Sequence, residues 1–202
     1  MSNNKEAKVP FVWIVSGPSG SGKTSLCDAL LKNPAWRKRL LRSVSCTTRL
    51  LRPGEKEGKD YAHLSEKKFL AWIKHGAFLE YEKIFGCYYG TPKKVFSDAQ
   101  KAGKNLLLCI DVKGARTVRR FFKKNVASIF ILTPHIESLG ERLAHRSTEN
   151  KKDIQKRLKR VKIELSFIKD YDYVIINDTF SDALKKLKSI MTIKEGERSK
   201  KS

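Results

Sequence analysis

The stretch that decides the fold is Phe11-Val-Trp-Ile-Val-Ser16, running directly into Gly17-Pro18-Ser19-Gly20-Ser21-Gly22-Lys23-Thr24. An unbroken apolar run bounded by glycine reads as a strand buried on both faces, the habit of a parallel sheet. The glycine-rich segment after it matches GxxxxGK[ST] in full. At a background near ~7% for each required residue, a chance match falls in roughly 1% of chains of this length. Glycines let successive N–H groups curl around phosphates, and the helix that follows adds its partial positive charge. Lys23 supplies a mobile charge for the β- and γ-phosphates, and the Thr24 hydroxyl supplies an oxygen for Mg²⁺. Gly17 to Thr24, with Ser25 behind them, therefore form a candidate site for the triphosphate of a nucleotide.

Outward from that loop the chain alternates. Leu26, Ala29 and Leu30 carry helical spacing over Thr24 to Leu31, and Asn33–Pro34 ends it. Ser65 can cap a helix whose Phe69, Trp72 and Ile73 share a face and which stops at Gly76. Pro92 opens another that ends at Gly103. Asn105 to Asp111, Val126 to Leu132 and Tyr173 to Ile176 read as further buried strands. The alternation predicts an α/β fold, a parallel sheet flanked by helices, with ligands beyond the carboxyl ends of the strands. Asp111 ends its strand where a carboxylate would approach a metal, directly or through water, or would cap the next helix. Cys46 to Thr91 breaks the rhythm and reads as an inserted lobe of short strands and turns.

Composition sets the outer limits. The 202 residues suffice for one domain with small insertions, and 40% hydrophobic content suffices for a core. A formal charge of +22 attracts polyanions or small phosphorylated substrates, though a lysine-rich solvated surface would give the same number. Lys151–Lys152 and Lys185–Lys186 lack interleaved aromatics, so nucleic acid is expected only as a non-specific contact. Cys27, Cys46, Cys87 and Cys109 are too scattered for a zinc site or disulfide framework and read as free thiols. No apolar run approaches a membrane span, and residues 1–9 lack a signal-peptide core, so the expected location is the cytoplasm. Residues 1–9 and 193–202 read as tails, and the four histidines as surface residues. Oligomeric state is not legible.

A second constellation names an acceptor. Ser45-Cys-Thr-Thr-Arg49-Leu-Leu-Arg52-Pro-Gly-Glu55, then Gly58-Lys-Asp60-Tyr61, resembles the SxTTRxxRxGExxGxDY signature of guanylate kinases. Gly76-Ala-Phe-Leu-Glu80, Gly86-Cys-Tyr-Tyr89-Gly-Thr91 and Ile110-Asp-Val-Lys-Gly-Ala115 follow in that family's order, as do Arg142-Leu-Ala-His-Arg146, Ile154-Gln-Lys-Arg157 and Tyr171-Asp-Tyr173 before Asn177-Asp178. The resemblance covers about residues 10 to 192. It implies a P-loop nucleoside monophosphate kinase fold with a core of 10–44 and 92–192, a GMP-binding lobe at about 45–91 and a lid at about 140–158. It implies ATP and GMP as substrates, dGMP as a second acceptor, and Mg²⁺ as cofactor.

The family pattern assigns the GMP phosphate to Arg49, Arg52, Tyr61 and Tyr89, whose forked guanidinium and phenol donors suit a dianion. It sets Glu80 at the guanine edge, Ser45 and Thr91 near the guanine carbonyl, and Asp111 toward GMP and metal. A carboxylate accepts from guanine N1–H and N2–H, and adenine offers the opposite pattern. Sites built on such bonds discriminate by roughly 10⁴ or more. The pattern makes Arg142, Arg146 and Arg157 lid arginines that neutralise the moving phosphoryl group with Lys23 and Arg49, and it sets Asn177 at the adenine ring. Cys109 stands where the family has an acid, Lys113 where it has Gln, and His145 and Ser147 where glycines flank the lid. Two rivals are a partner-binding module of the same fold, expected to lose the phosphate loop, and a kinase for another acceptor, expected to lose Glu80 and Ser45.

Overall fold

In the computed structural model, residues 9–135 and 160–200 are described. In chain order they form β1 (Val12–Ser16), α1 (Lys23–Lys32), α2 (Pro34–Arg39), β2 (Leu40–Arg42), β3 (Ser45–Thr47), β4 (Tyr61–His63), α3 (Glu66–Lys74), β5 (Phe78–Ile84) and β6 (Cys87–Pro92). Next come α4 (Lys94–Lys101), β7 (Asn105–Cys109), α5 (Val112–Phe122), β8 (Val126–Leu132), a 3₁₀ turn at Ile168–Asp170, β9 (Tyr173–Ile176) and α6 (Phe180–Ser199). The strands make a five-stranded sheet ordered β2-β7-β1-β8-β9 and a four-stranded sheet ordered β4-β3-β6-β5. By compactness the residues divide into two units. One holds the described residues up to Trp13, Lys38–Leu108 and Lys113–Val126; the other holds Ile14–Arg37, Cys109–Val112 and the described residues from Ala127 onward.

The first unit carries the four-stranded sheet. β5 and β6 pair antiparallel from Phe78↔Pro92 to Ile84↔Cys87, β6 pairs antiparallel with β3, and β3 runs parallel to β4. The hairpin closes through Phe85 and Gly86, both at positive φ (48 and 81), the type I′ geometry whose twist matches the flanking strands. Phe69, Phe78 and Cys46 form the buried cluster under this sheet, with Trp72 and Tyr88 packed against it. The Phe69 and Phe78 rings stack at 4.4 Å, so Gly90 must stay bare: a Cβ there would lie 2.9 Å from Phe78 and 3.0 Å from Phe69. Ser65 caps α3 as expected, its hydroxyl accepting from Lys68 N at 3.3 Å. Residues 46–91, expected to form short strands and turns, fold into this sheet and helix.

In the second unit, β8 and β9 pair parallel, with Leu132 opposite Ile176. Asp172 Oδ2 accepts from Ser128 N (2.7 Å) and Ser128 Oγ (2.8 Å), and the Tyr171 ring meets Phe130 edge-on at 5.0 Å. The Tyr171-Asp172-Tyr173 motif thus pins β9 to β8. α6 packs on α1 and β9, burying Ala183, Leu187 and Met191. It runs on to Ser199, which corrects the reading of 193–202 as a tail. Met191 seats the helix, and a Lys194–Glu197 pair at 3.1 Å supports its last turns.

Two short elements escaped the sequence reading. Pro34 does end α1, but it also opens α2, because a proline is preorganised for a first helical turn. β2 has only three residues and gains its stability from pairing with β7, Leu40↔Asn105 to Arg42↔Leu107. All four cysteines are free thiols, and the buried Cys46 thiol is pushed up to about 11, chiefly by desolvation. Among the described residues no helix is long and apolar enough to cross a membrane.

Candidate active site

The phosphate-binding loop leaves β1 and enters α1 through glycines at positive φ, Gly17 (147), Gly20 (89) and Gly22 (86). Two of these are required sterically. A Cβ on Gly17 would strike the Ile131 carbonyl, and one on Gly22 would strike the Asn177 amide. Lys23 Nζ lies 3.3 Å from the Pro18 carbonyl, so its ammonium sits over the loop. The Thr24 hydroxyl is 3.8 Å from Cys109 Sγ, a sulfur contact where the family pattern carries a carboxylate.

One carboxylate here was missed by sequence reasoning. Glu164 is only 7% exposed, and its Oε1 accepts from Arg160 Nε at 2.9 Å. Its carboxyl sits above the ordinary range: burial raises it most, Arg160 and the Lys23 charge pull it down, and the Asp111 charge pushes it up again. Lys23, Asp111, Glu164 and Arg160 therefore share one electrostatic environment. The i,i+4 spacing of Arg160 and Glu164 was the available signal, but such pairs are common on solvated helices. Asn177, expected at an adenine ring, is 5% exposed, and its Nδ2 donates to the Ser21 carbonyl at 2.8 Å.

The first unit holds the residues expected around a nucleoside monophosphate. Arg49 donates through Nη2 to Glu55 Oε1 (2.7 Å) and Oε2 (3.0 Å), and its guanidinium lies 5.4 Å from the Tyr61 ring. Tyr61 meets Tyr89 edge-on at 5.9 Å. Arg49, Tyr61 and Tyr89 are thus brought together. Arg49 Nε is buried with no protein partner, a donor with its direction already set. Glu55, quoted in the motif without a role, organises this group by also accepting from Arg52 N at 2.9 Å. Burial tends to raise its carboxyl, but the Arg49 and Arg52 bonds outweigh that and hold it below the usual range. His63 is no bare surface residue: its ring bonds Glu57, and its backbone N–H donates to the same carboxylate.

Glu80 lies on β5 opposite Thr91 on β6, and this register explains the pair. The carboxylate is 6% exposed, and the fully buried Thr91 hydroxyl donates to Oε1 at 2.5 Å. The Thr91 proton expected at a guanine carbonyl is therefore committed to Glu80, where it orients the carboxylate. Gly114 completes the setting: a Cβ there would sit 2.5 Å from Glu80 Oε2, so only glycine leaves that oxygen its place. Lys113 Nζ lies 3.9 Å from Glu82 Oε2. Ser45 opens β3 opposite Tyr61. Arg142, Arg146 and Arg157, with His145 and Ser147, lie outside the described residues.

The second unit's loop can bind a triphosphate on backbone N–H groups and an ammonium, and the first unit's residues can by themselves bind a phosphomonoester on a guanidinium and two phenols. Comparison with known proteins points the same way. The family model described as guanylate kinase matches residues 11–194. The chain is 43% identical over 181 residues to a guanylate kinase of Rickettsia prowazekii (strain Madrid E), covering 90% of each chain. It is 41% identical over 184 residues to one from Caldanaerobacter subterraneus subsp. tengcongensis, covering 91% of this chain and 87% of that one. The crystal structure of guanylate kinase from Anaplasma phagocytophilum superposes with a TM-score of 0.75 at 33% identity, covering 92% and 86% of the two chains.

Proposed function

The chain belongs to the guanylate kinase family, and on that premise we propose that it transfers the γ-phosphoryl group of ATP to GMP, and to dGMP, in the cytoplasm. The observation that carries the acceptor is the buried Glu80 carboxylate, oriented by Thr91 and cleared by Gly114. A desolvated carboxylate rewards the paired N1–H and N2–H donors of guanine, and adenine would leave it facing an acceptor.

The reaction is an in-line displacement. A phosphate oxygen of GMP attacks the γ-phosphorus as the bond to the β–γ bridging oxygen breaks, giving ADP and GDP. No side-chain nucleophile is needed, so the protein contributes position and charge. The loop from Gly17 to Ser25 cradles the triphosphate, Lys23 follows its β- and γ-oxygens, and Arg49, Arg52, Tyr61 and Tyr89 hold the GMP phosphate. Glu55 keeps the Arg49 guanidinium in place, leaving its Nε for an incoming oxygen. Ser45 serves the guanine carbonyl, and Arg142, Arg146 and Arg157 screen the transferring group.

Mg²⁺ fits the donors present. Thr24 offers a hydroxyl and Asp111 a carboxylate, hard oxygen donors of the kind that suit an ion which keeps waters and arrives on the substrate phosphates. When bound it neutralises charge on the phosphate oxygens.

The test is ADP release with Mg·ATP and each of GMP, dGMP, AMP, CMP and UMP, beside Lys23→Ala. Turnover confined to the guanine nucleotides and lost in the variant is the expected result. Equal turnover with AMP, or none with any acceptor from folded protein, overturns the reading.

A further inference from the structure

We infer that Asn177 is a positioning residue that clamps the phosphate-binding loop by its backbone, and so serves the triphosphate rather than the base. The inference rests on the nucleotide-site reading of the loop. Asn177 follows β9 immediately, and its own N–H donates to the Leu132 carbonyl at 2.6 Å, which pins its backbone to the end of β8. From there the side chain reaches back 156 residues in sequence to the Ser21 carbonyl at 2.8 Å. The acceptor is a carbonyl, so only the amide nitrogen can face it, and the side-chain orientation is settled. Both groups are buried, where an unmet carbonyl is costly.

The consequence lies on the other side of that peptide. A trans peptide is planar, with its C=O and N–H pointing in opposite directions. Holding the Ser21 oxygen therefore aims the Gly22 N–H, one of the backbone donors a phosphate loop depends on. Gly22 sits at φ 86, a conformation glycine leaves as readily as it enters, and the Asn177 amide occupies the space its Cβ would fill. The Ile131 carbonyl, one residue before Leu132, crowds Gly17 in the same manner. The end of β8 and the residue after β9 thus grip the loop at both ends, with one of the two Asn177 amide N–H groups committed to Ser21.

Calorimetric binding of ATP, UTP and inorganic tripolyphosphate to the wild-type protein and to Asn177→Ala decides between the two roles. All three are expected to weaken by a common factor, roughly tenfold for one buried hydrogen bond to a backbone carbonyl. The KM for ATP should rise with it, and the KM for GMP should not move. Tripolyphosphate that binds both proteins equally while ATP weakens, or a changed ATP-to-UTP ratio, would make Asn177 a base reader and overturn the clamp. So would unchanged affinity for all three. Should Asn177→Ala not fold, Asn177→Leu, similar in size and uncharged, puts the same question. A wild-type protein that binds tripolyphosphate yet phosphorylates no acceptor would sink the kinase reading and leave the clamp standing.

Discussion

At the residue scale, two carboxylates are used for opposite purposes. Glu80 is the group proposed to select the acceptor, so its replacement should be felt in substrate choice. Glu80→Gln exchanges an acceptor for a donor against guanine N1–H, and kcat/KM for GMP should fall on the order of 10²-fold while ATP binding is unchanged. Steady-state kinetics with both substrates varied would check this. Glu55 is kept for Arg49, and its carboxyl is held below the usual range. A carboxyl lowered by folding contributes stability that is present above its ordinary value near 4.5 and is lost as pH falls through the folded value. Melting temperatures measured downward from pH 6 should therefore drop less steeply in Glu55→Gln than in the wild type.

At the scale of elements, the β5–β6 hairpin places Glu80 and carries its own strain. Phe85 adopts φ 48 and is half exposed, a position where an L side chain is disfavoured and Asn is tolerated. Phe85→Asn should stabilise the protein by about 1 kcal/mol, roughly 2–4 °C in melting temperature for a chain of this size. α5 contributes through Gly114, which is small because the Glu80 carboxylate lies where a Cβ would go. Gly114→Ala should raise the KM for GMP by roughly tenfold or more with the circular dichroism spectrum intact, since a displacement near 1 Å at a binding group is expensive. Gly90 is bare for a packing reason instead, under Phe69 and Phe78, and Gly90→Ala should lower the melting temperature before it alters specificity.

At the scale of the whole molecule, the +22 charge acts at a distance on two anionic substrates. Steering of that kind is screened within about 10 Å at 0.1 M salt. kcat/KM for both substrates should fall several-fold from about 0.02 to 0.2 M KCl, with kcat at saturation little changed. Stopped-flow or steady-state rates across a salt series would show it.

Much of this protein could be read in one dimension. Val126–Leu132 declared itself because a strand covered on both faces is apolar without interruption. Tyr173–Ile176 ends where the residues said but is a half-exposed edge strand, not a buried one: Val174 and Ile176 are exposed and only Ile175 is buried. The phosphate loop was legible because its glycines and lysine are contiguous and each answers a local demand of backbone or charge. Short elements were not: β2 and α2 are too brief to show a period and exist through what they pair with. Residues 193–199, read as tail, continue α6 because the helix persists past its last buried residue, Met191, on a polar and charged stretch that shows no apolar period. The partners of the site residues lay beyond sequence for the same reason. Thr91 turns to Glu80 because antiparallel register sets them side by side, Gly114 is needed because α5 brings it to that carboxylate, and Asn177 holds Ser21 because β9 ends beside the loop. Local chemistry is written in neighbouring residues, whereas the commitment of a given hydrogen bond depends on groups that meet only when the chain is folded.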